Sequence, residues 1–221
     1  MSVEIVLVGC GAPLRSMGWY HATQILHPGC NIAATLSYIV EPYYMSVAGK
    51  TSPGSTEFND FKKDLETNHG IKFFSRVQDV PPVDKDGVTK RLAIISARTS
   101  DNPTLFASCL SIGCRAIFLE KPGAPSVEEL EIMKNNAQAM GVDVYMGFNK
   151  NVSKYQNKAR EYAKNHQGMN VTFLHNNNYD EADLPECFER NSEGMLKNMG
   201  KIFHDMKKMI TAMYIHHTDL F

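Results

Sequence analysis

Apolar residues come in blocks along the first 148 positions, with polar turns between them. Val3 to Val8 is apolar apart from Glu4, a pattern that predicts a strand buried on both faces. Met17 to His27 predicts a helix, and Ile32 to Val40 a second strand. From Ser55 to His69, Phe58, Phe61 and Leu65 share one helical face, and Gly70 supplies the stop. A short strand at Ile71 to Phe74 leads into a polar loop containing Pro81-Pro82. Leu92 to Ser96 reads as a strand, Pro103 to Ile112 as a helix and Arg115 to Leu119 as a strand. Ser126 and Glu129 stand at capping-box spacing, ahead of an apolar stripe of Val127, Leu130, Met133, Ala137 and Met140. Gly141 ends that helix, and Val142 to Met146 makes a sixth strand. Six strands alternating with helices predict an α/β fold: a doubly wound parallel sheet with right-handed crossovers.

The pattern changes after Gly147-Phe148-Asn149. Val152 to His166 predicts a lysine-rich amphipathic helix, Asn170 to His175 a strand, and a polar, acidic stretch runs from Asn176 to Asn191. Beyond it Met195, Leu196, Met199, Ile202, Phe203, Met206, Met209, Ile210 and Met213 recur at roughly helical spacing. The expected division is a domain at 1–148 and an incomplete α/β (α+β) C-terminal domain at 149–221. One strand and two helices bury little area unaided.

Composition narrows the function classes. A formal net charge of −1 over 221 residues leaves no electrostatic footprint for nucleic acid or an anionic membrane. No apolar run approaches the roughly 20 residues that span a bilayer. The chain enters a strand at once, without the basic start of a signal peptide. Cysteines at 10, 30, 109, 114 and 187 are scattered, with no C-x-x-C pair. They read as small buried hydrophobes in a reducing compartment, with no metal site, so the expected location is cytoplasmic.

Candidate chemistry gathers where strands end. Gly9-Cys10-Gly11 follows the first strand immediately. Such a turn lets backbone approach a pyrophosphate at a helix N-terminus, and it serves equally as a plain strand-to-helix turn. Leu14 stands where a third glycine belongs; Gly18 resembles that glycine, displaced by an insertion of about four residues. Within the insertion Arg15 offers a charge-assisted donor to a phosphate, or the longer loop holds the helix away from it. Glu41 ends the second strand, the place of an acid for an adenosine ribose. An acid there favours NAD over NADP, because a 2′-phosphate would be repelled; a solvated loop glutamate is the alternative. Glu120-Lys121-Pro122 puts an ionisable pair at the carboxyl end of the fifth strand, where open α/β sheets bind ligands. A surface salt bridge is the alternative there.

Four stretches occur together in a telling order: residues 5–11, Met17-Gly18-Trp19-Tyr20-His21, residues 113–122 and Gly147-Phe148-Asn149. In content and order they resemble the Gfo/Idh/MocA oxidoreductases over about residues 3–150. The resemblance implies a Rossmann-type nucleotide domain, then a large, open, mainly antiparallel sheet that supplies substrate contacts and often the dimer interface. It implies NAD as cofactor, with NADP as the second choice, held by Gly9, Gly11, Arg15, Gly18, Glu41, Thr99, Asn102, Glu120 and Lys121. Asn102 also suits a helix N-cap before Pro103, and both roles can hold at once. For Lys121 the resemblance implies a place beside the nicotinamide and the substrate hydroxyl. Partial burial would lower its pKa from about 10.4 towards the working range, so that it polarises the hydroxyl or relays its proton.

The implied reaction is hydride transfer between the nicotinamide and a sugar, polyol or related cyclic hydroxyl compound. A non-catalytic nucleotide-binding sensor or regulator is the alternative. The Asp and His that the family carries early in its second domain fall on Asn198 and Ile202. His204 lies two residues on, about 200° round a helix, and is the remaining candidate base. The chain ends where the family's sheet has barely begun, so a homo-oligomer interface on that sheet is expected to be largely absent.

Overall fold

Val6 and Val8 face one side of the first strand, Ile5 and Leu7 the other, and all four are buried. That two-sided burial is why the strand reads as an unbroken apolar run. The first pair packs in a layer with Ile95, Phe106, Ile117, Leu119 and Met133; the second lies with Leu36, Ile39, Phe58 and Leu65.

The computed structural model describes residues 2–83, 89–148 and 153–166. Strands β1 (Ser2–Val8), β2 (Thr35–Val40), β3 (Lys72–Phe74), β4 (Thr89–Ile95), β5 (Cys114–Leu119) and β6 (Asp143–Met146) form one sheet. All pairings are parallel, in the order β3-β2-β1-β4-β5-β6. Helices α1 (Met17–Leu26) and α2 (Ser55–His69) connect strands in one half, α3 (Asn102–Ser111) and α4 (Val127–Ala139) in the other. The order reverses between β1 and β4, so the loops leaving these strands part and open a crevice at the carboxyl edge. This is the expected doubly wound Rossmann sheet.

Two local expectations shift. β2 begins at Thr35, after a turn in which Cys30 N–H donates to the His27 carbonyl and Ile32 stands exposed. Met140 is the C-cap of α4 and is exposed, so Leu130, Met133 and Ala137 carry that helix's packing. Ser126 caps α4 as expected, accepting the Glu129 N–H at 3.2 Å. The Glu129 carboxylate takes the Ser126 hydroxyl at 3.1 Å, where a full capping box would have it take the N-cap amide. Ser126→Ala is expected to cost about 1 kcal/mol, read as a lower urea midpoint with an unchanged slope.

Glu4, the one charge in the β1 run, is answered across the strands. Arg91 on β4, its register partner, is buried and meets Glu4 Oε1 at 2.7 Å, with a further bond to the Ile112 carbonyl at 3.0 Å. The pair lies at the amino end of the sheet, away from the crevice.

The chain divides into two compact units, Met1–Gly147 and Phe148–Phe221. In the second, α5 (Lys154–Asn165) is capped by the Ser153 hydroxyl, which accepts the Gln156 N–H at 3.3 Å, and none of its residues is buried. The strand expected at Asn170 to His175, and Asn198, Ile202 and His204, lie outside the described residues. No described helix is long and apolar enough to cross a membrane.

Candidate functional site

Five strands end on the same hydrogen-bonding step. The first residue past each strand donates its amide to the last carbonyl of a neighbour. Gly9 donates to Val40 at 2.8 Å, Glu41 to Phe74 at 2.9 Å and Ser96 to Val8 at 2.8 Å. Glu120 donates to Ile95 at 2.9 Å and Gly147 to Leu119 at 2.8 Å. The carboxyl rim of the sheet is thus a stitched row, and three sequence-based candidates, Gly9, Glu41 and Glu120, belong to it.

At the glycine turn, Gly9 and Gly11 have φ of 82° and 64°, a region open to glycine without cost. Gly18, in the first turn of α1, lies hard against that turn. A Cβ on Gly18 would sit 2.6 Å from Cys10 Cα and closer still to the Gly9 carbonyl oxygen. The displaced glycine therefore performs the third glycine's task of close helix–strand packing. The intervening loop forms a turn, with Arg15 N–H donating to the Ala12 carbonyl at 3.2 Å and Leu14 exposed at φ 62°. Ser16 caps α1: its hydroxyl accepts the Trp19 N–H at 3.2 Å and donates to the Cys10 carbonyl. Arg15 itself is exposed, with its guanidinium 3.9 Å from Glu57 on α2. It stands off the turn it was expected to serve.

Glu41 is 3% exposed, which removes the solvated-loop reading. Its Oε2 accepts the Gly11 N–H at 2.7 Å, and its Oε1 accepts those of Tyr43 and Tyr44 at 3.0 and 3.2 Å. A carboxylate offers about four acceptor positions, and with the Cys10 thiol also against it this acid is largely used inside the fold. The neighbouring Cys10 thiol is pushed well up, by burial first and by the Glu41 charge second, and stays protonated at neutral pH. Beside Glu41 the Arg98 guanidinium lies 4.9 Å over the Tyr43 ring. Sequence reasoning missed this pair; two tyrosines one residue past the strand-end acid, after Pro42, were the one visible signal.

Across the crevice, Asp101 and not Asn102 occupies the N-cap of α3. Asn102 is 2% exposed, and its Nδ2 donates to the Gly123 carbonyl at 2.9 Å, tying the loop after β4 to the corner after β5. Its Oδ1 is buried without a partner among the described residues. Thr99 is half-buried in the same loop. The Lys121-Pro122 bond is cis, and Lys121 is exposed. The burial expected to tune this lysine is absent. Glu120 meets α1, its Oε1 2.8 Å from His21 Nε2, so it is not part of an exposed salt bridge with Lys121. A separation of 99 positions left no sequence signal for that contact.

No protein-family model matches the chain, and no curated protein matches it in sequence. Solved structures do. An NAD-binding protein from Listeria innocua is 16% identical with a TM-score of 0.53; 75% of this chain covers 41% of that one. A myo-inositol dehydrogenase from Lactobacillus casei, in complex with NAD(H) and myo-inositol, is 16% identical with a TM-score of 0.54, covering 75% and 42%. A super-repressor mutant of Gal80p from Saccharomyces cerevisiae is 14% identical with a TM-score of 0.54, covering 75% and 39%. The chain thus spans about two fifths of the length of each. Over that span the chain shares the Rossmann-type fold of these structures.

Proposed function

We propose that residues 2–148 are the nucleotide-binding unit of an NAD-dependent oxidoreductase acting on a sugar, polyol or related cyclic hydroxyl compound, with NADP as the alternative to NAD. The observation that carries this reading is the unpartnered, buried Asn102 Oδ1, on the residue whose Nδ2 is tied to Gly123 just after the Glu120-Lys121-Pro122 corner. A buried acceptor without a donor is costly unless a ligand completes it, and a ribose hydroxyl or a carboxamide N–H would do so.

The residues present fit a dinucleotide with one adjustment. The left-handed glycines leave bare backbone for a pyrophosphate, and Glu41 stands at the end of β2, the place of an acid for a ribose hydroxyl. Arg15 would have to leave Glu57 to reach a phosphate. When bound, NAD supplies the hydride acceptor at its nicotinamide. Lys121, exposed at the rim, donates a hydrogen bond to the substrate oxygen. Substrate and subunit contacts are assigned to the chain beyond residue 148.

The test is an NADH binding isotherm followed by turnover on a polyol panel. Lys121→Ala is expected to lower kcat/KM by about a hundredfold while NADH binding holds. Failure to bind either nicotinamide nucleotide would overturn the whole reading. Binding without turnover would select the second reading, a nucleotide-binding sensor or regulator. The exposed, unburied Lys121 favours that alternative, since a shared fold does not carry catalysis with it.

A further inference from the structure

Two stretches quoted for the family resemblance, one ending in His21 and one beginning with Gly147, converge on Glu120. His21 Nε2 lies 2.8 Å from Glu120 Oε1, with the two side chains only 17% and 13% exposed. The His21 ring sets its edge against Phe118, 5.4 Å between centroids. On the far side Gly147 makes room for the carboxylate: a Cβ there would stand 3.0 Å from Oε2 and 3.1 Å from Cδ. The Glu120 backbone is stitched to Ile95. The carboxylate is therefore held by His21 on one side with Gly147 close on the other, on a backbone tied to β4, one residue before Lys121. The helix that holds it is the one seated on the glycine turn through Gly18.

We propose that His21 is a positioning residue for Lys121. By holding Glu120 on the α1 side of the rim, it fixes the Glu120-Lys121-Pro122 corner relative to the helix that starts at the glycine turn. It also keeps the carboxylate from pairing with the adjacent ammonium, which then stays free for a ligand oxygen. Without the imidazole, a half-desolvated carboxylate beside a lysine would take the lysine as its partner. This role rests on the reading of Lys121 as the lysine of the reacting site.

The experiment compares His21→Ala with His21→Gln, whose side-chain amide can still donate to Glu120. Measured are NADH affinity, kcat and KM on a polyol, melting temperature, and the rate at which acetic anhydride acetylates Lys121, followed by mass spectrometry. The expected result for His21→Ala is a kcat loss approaching a hundredfold, the scale of a displaced reacting group, with NADH affinity and folding close to the parent. Its Lys121 acetylation rate shifts severalfold. His21→Gln restores both kcat and the parent acetylation rate. An His21→Ala protein with unchanged kcat and unchanged acetylation would overturn the proposal, as would a glutamine variant no better than the alanine one. Should the alanine variant not fold, His21→Asn, too short to reach Oε1, replaces it. If the parent binds NADH but turns nothing over, the catalytic reading fails by itself, and the acetylation comparison still decides the role of His21.

Discussion

Gly18→Ala is expected to destabilise the chain by about 5 kcal/mol and to abolish NADH binding, although alanine is the better helix former. Propensity alone would favour the substitution by about 1 kcal/mol. The opposing term is larger because the new methyl meets backbone, with no flexible side-chain end to give way. Its nearest neighbours would be the Gly9 carbonyl oxygen, Cys10 Cα at 2.6 Å and Gly9 C at 2.9 Å. Ordinary carbon contacts need about 3.5 Å, so α1 must lift by about 1 Å or the glycine turn must open. Either movement strips Ala22, fully buried on the same helix, from its layer of the core. Over-packing of this kind exceeds its usual cost of about 1–3 kcal/mol because neither backbone partner can rotate away. Urea unfolding measures the first effect and an NADH isotherm the second. A variant within about 1 kcal/mol of the parent would show that α1 does not rest on Gly18 as described.

Glu41→Ala should cost about 4 kcal/mol of folding stability, whatever it does to nucleotide affinity. Three backbone amides, those of Gly11, Tyr43 and Tyr44, end on this buried carboxylate. Removing it leaves them desolvated and unpaired, and hydrogen bonds to a charged acceptor contribute about 1.5 to 3 kcal/mol each before relaxation. Glu41→Gln should recover little. One side-chain oxygen can still accept, but the amide nitrogen brings N–H groups to face N–H groups. The two variants separate a structural acid from a ribose-binding one. If Glu41 served a ribose alone, both proteins would unfold at the parent midpoint and lose affinity only. Coincident losses of midpoint and affinity, with an unchanged denaturant slope, are the expected outcome.

Glu41 also shows what the sequence could and could not convey. Its place at a strand end was legible, because an apolar run broken by a single acid marks the edge of a buried sheet. Its three partners were not, since two of them lie in the turn it begins and the third is 30 positions earlier. The parallel, doubly wound sheet was readable for a related reason, because strands and helices alternate along the chain; its strand order was not, since β3 and β4 follow each other in sequence but are not neighbours in the sheet. Asn102 was expected in the loop after β4 but is the first residue of α3, one past the Asp101 cap; the two positions differ by one residue and Pro103 suits either choice. Lys121 marks the opposite failure. A lysine after a buried strand suggests partial burial, yet this one lies exposed while the preceding Leu119 is fully buried, and the spacing does not announce the change.

The stitched rim has a consequence for exchange with solvent. Amides of loop residues ordinarily trade their protons within moments, yet those of Gly9, Glu41, Ser96, Glu120 and Gly147 are ladder donors in all but name. Their release into deuterated water should therefore track opening of the sheet itself, on the slow scale of its central strands. Residues placed to touch a ligand would then share the stiffness of the core, and docking would freeze few new torsions.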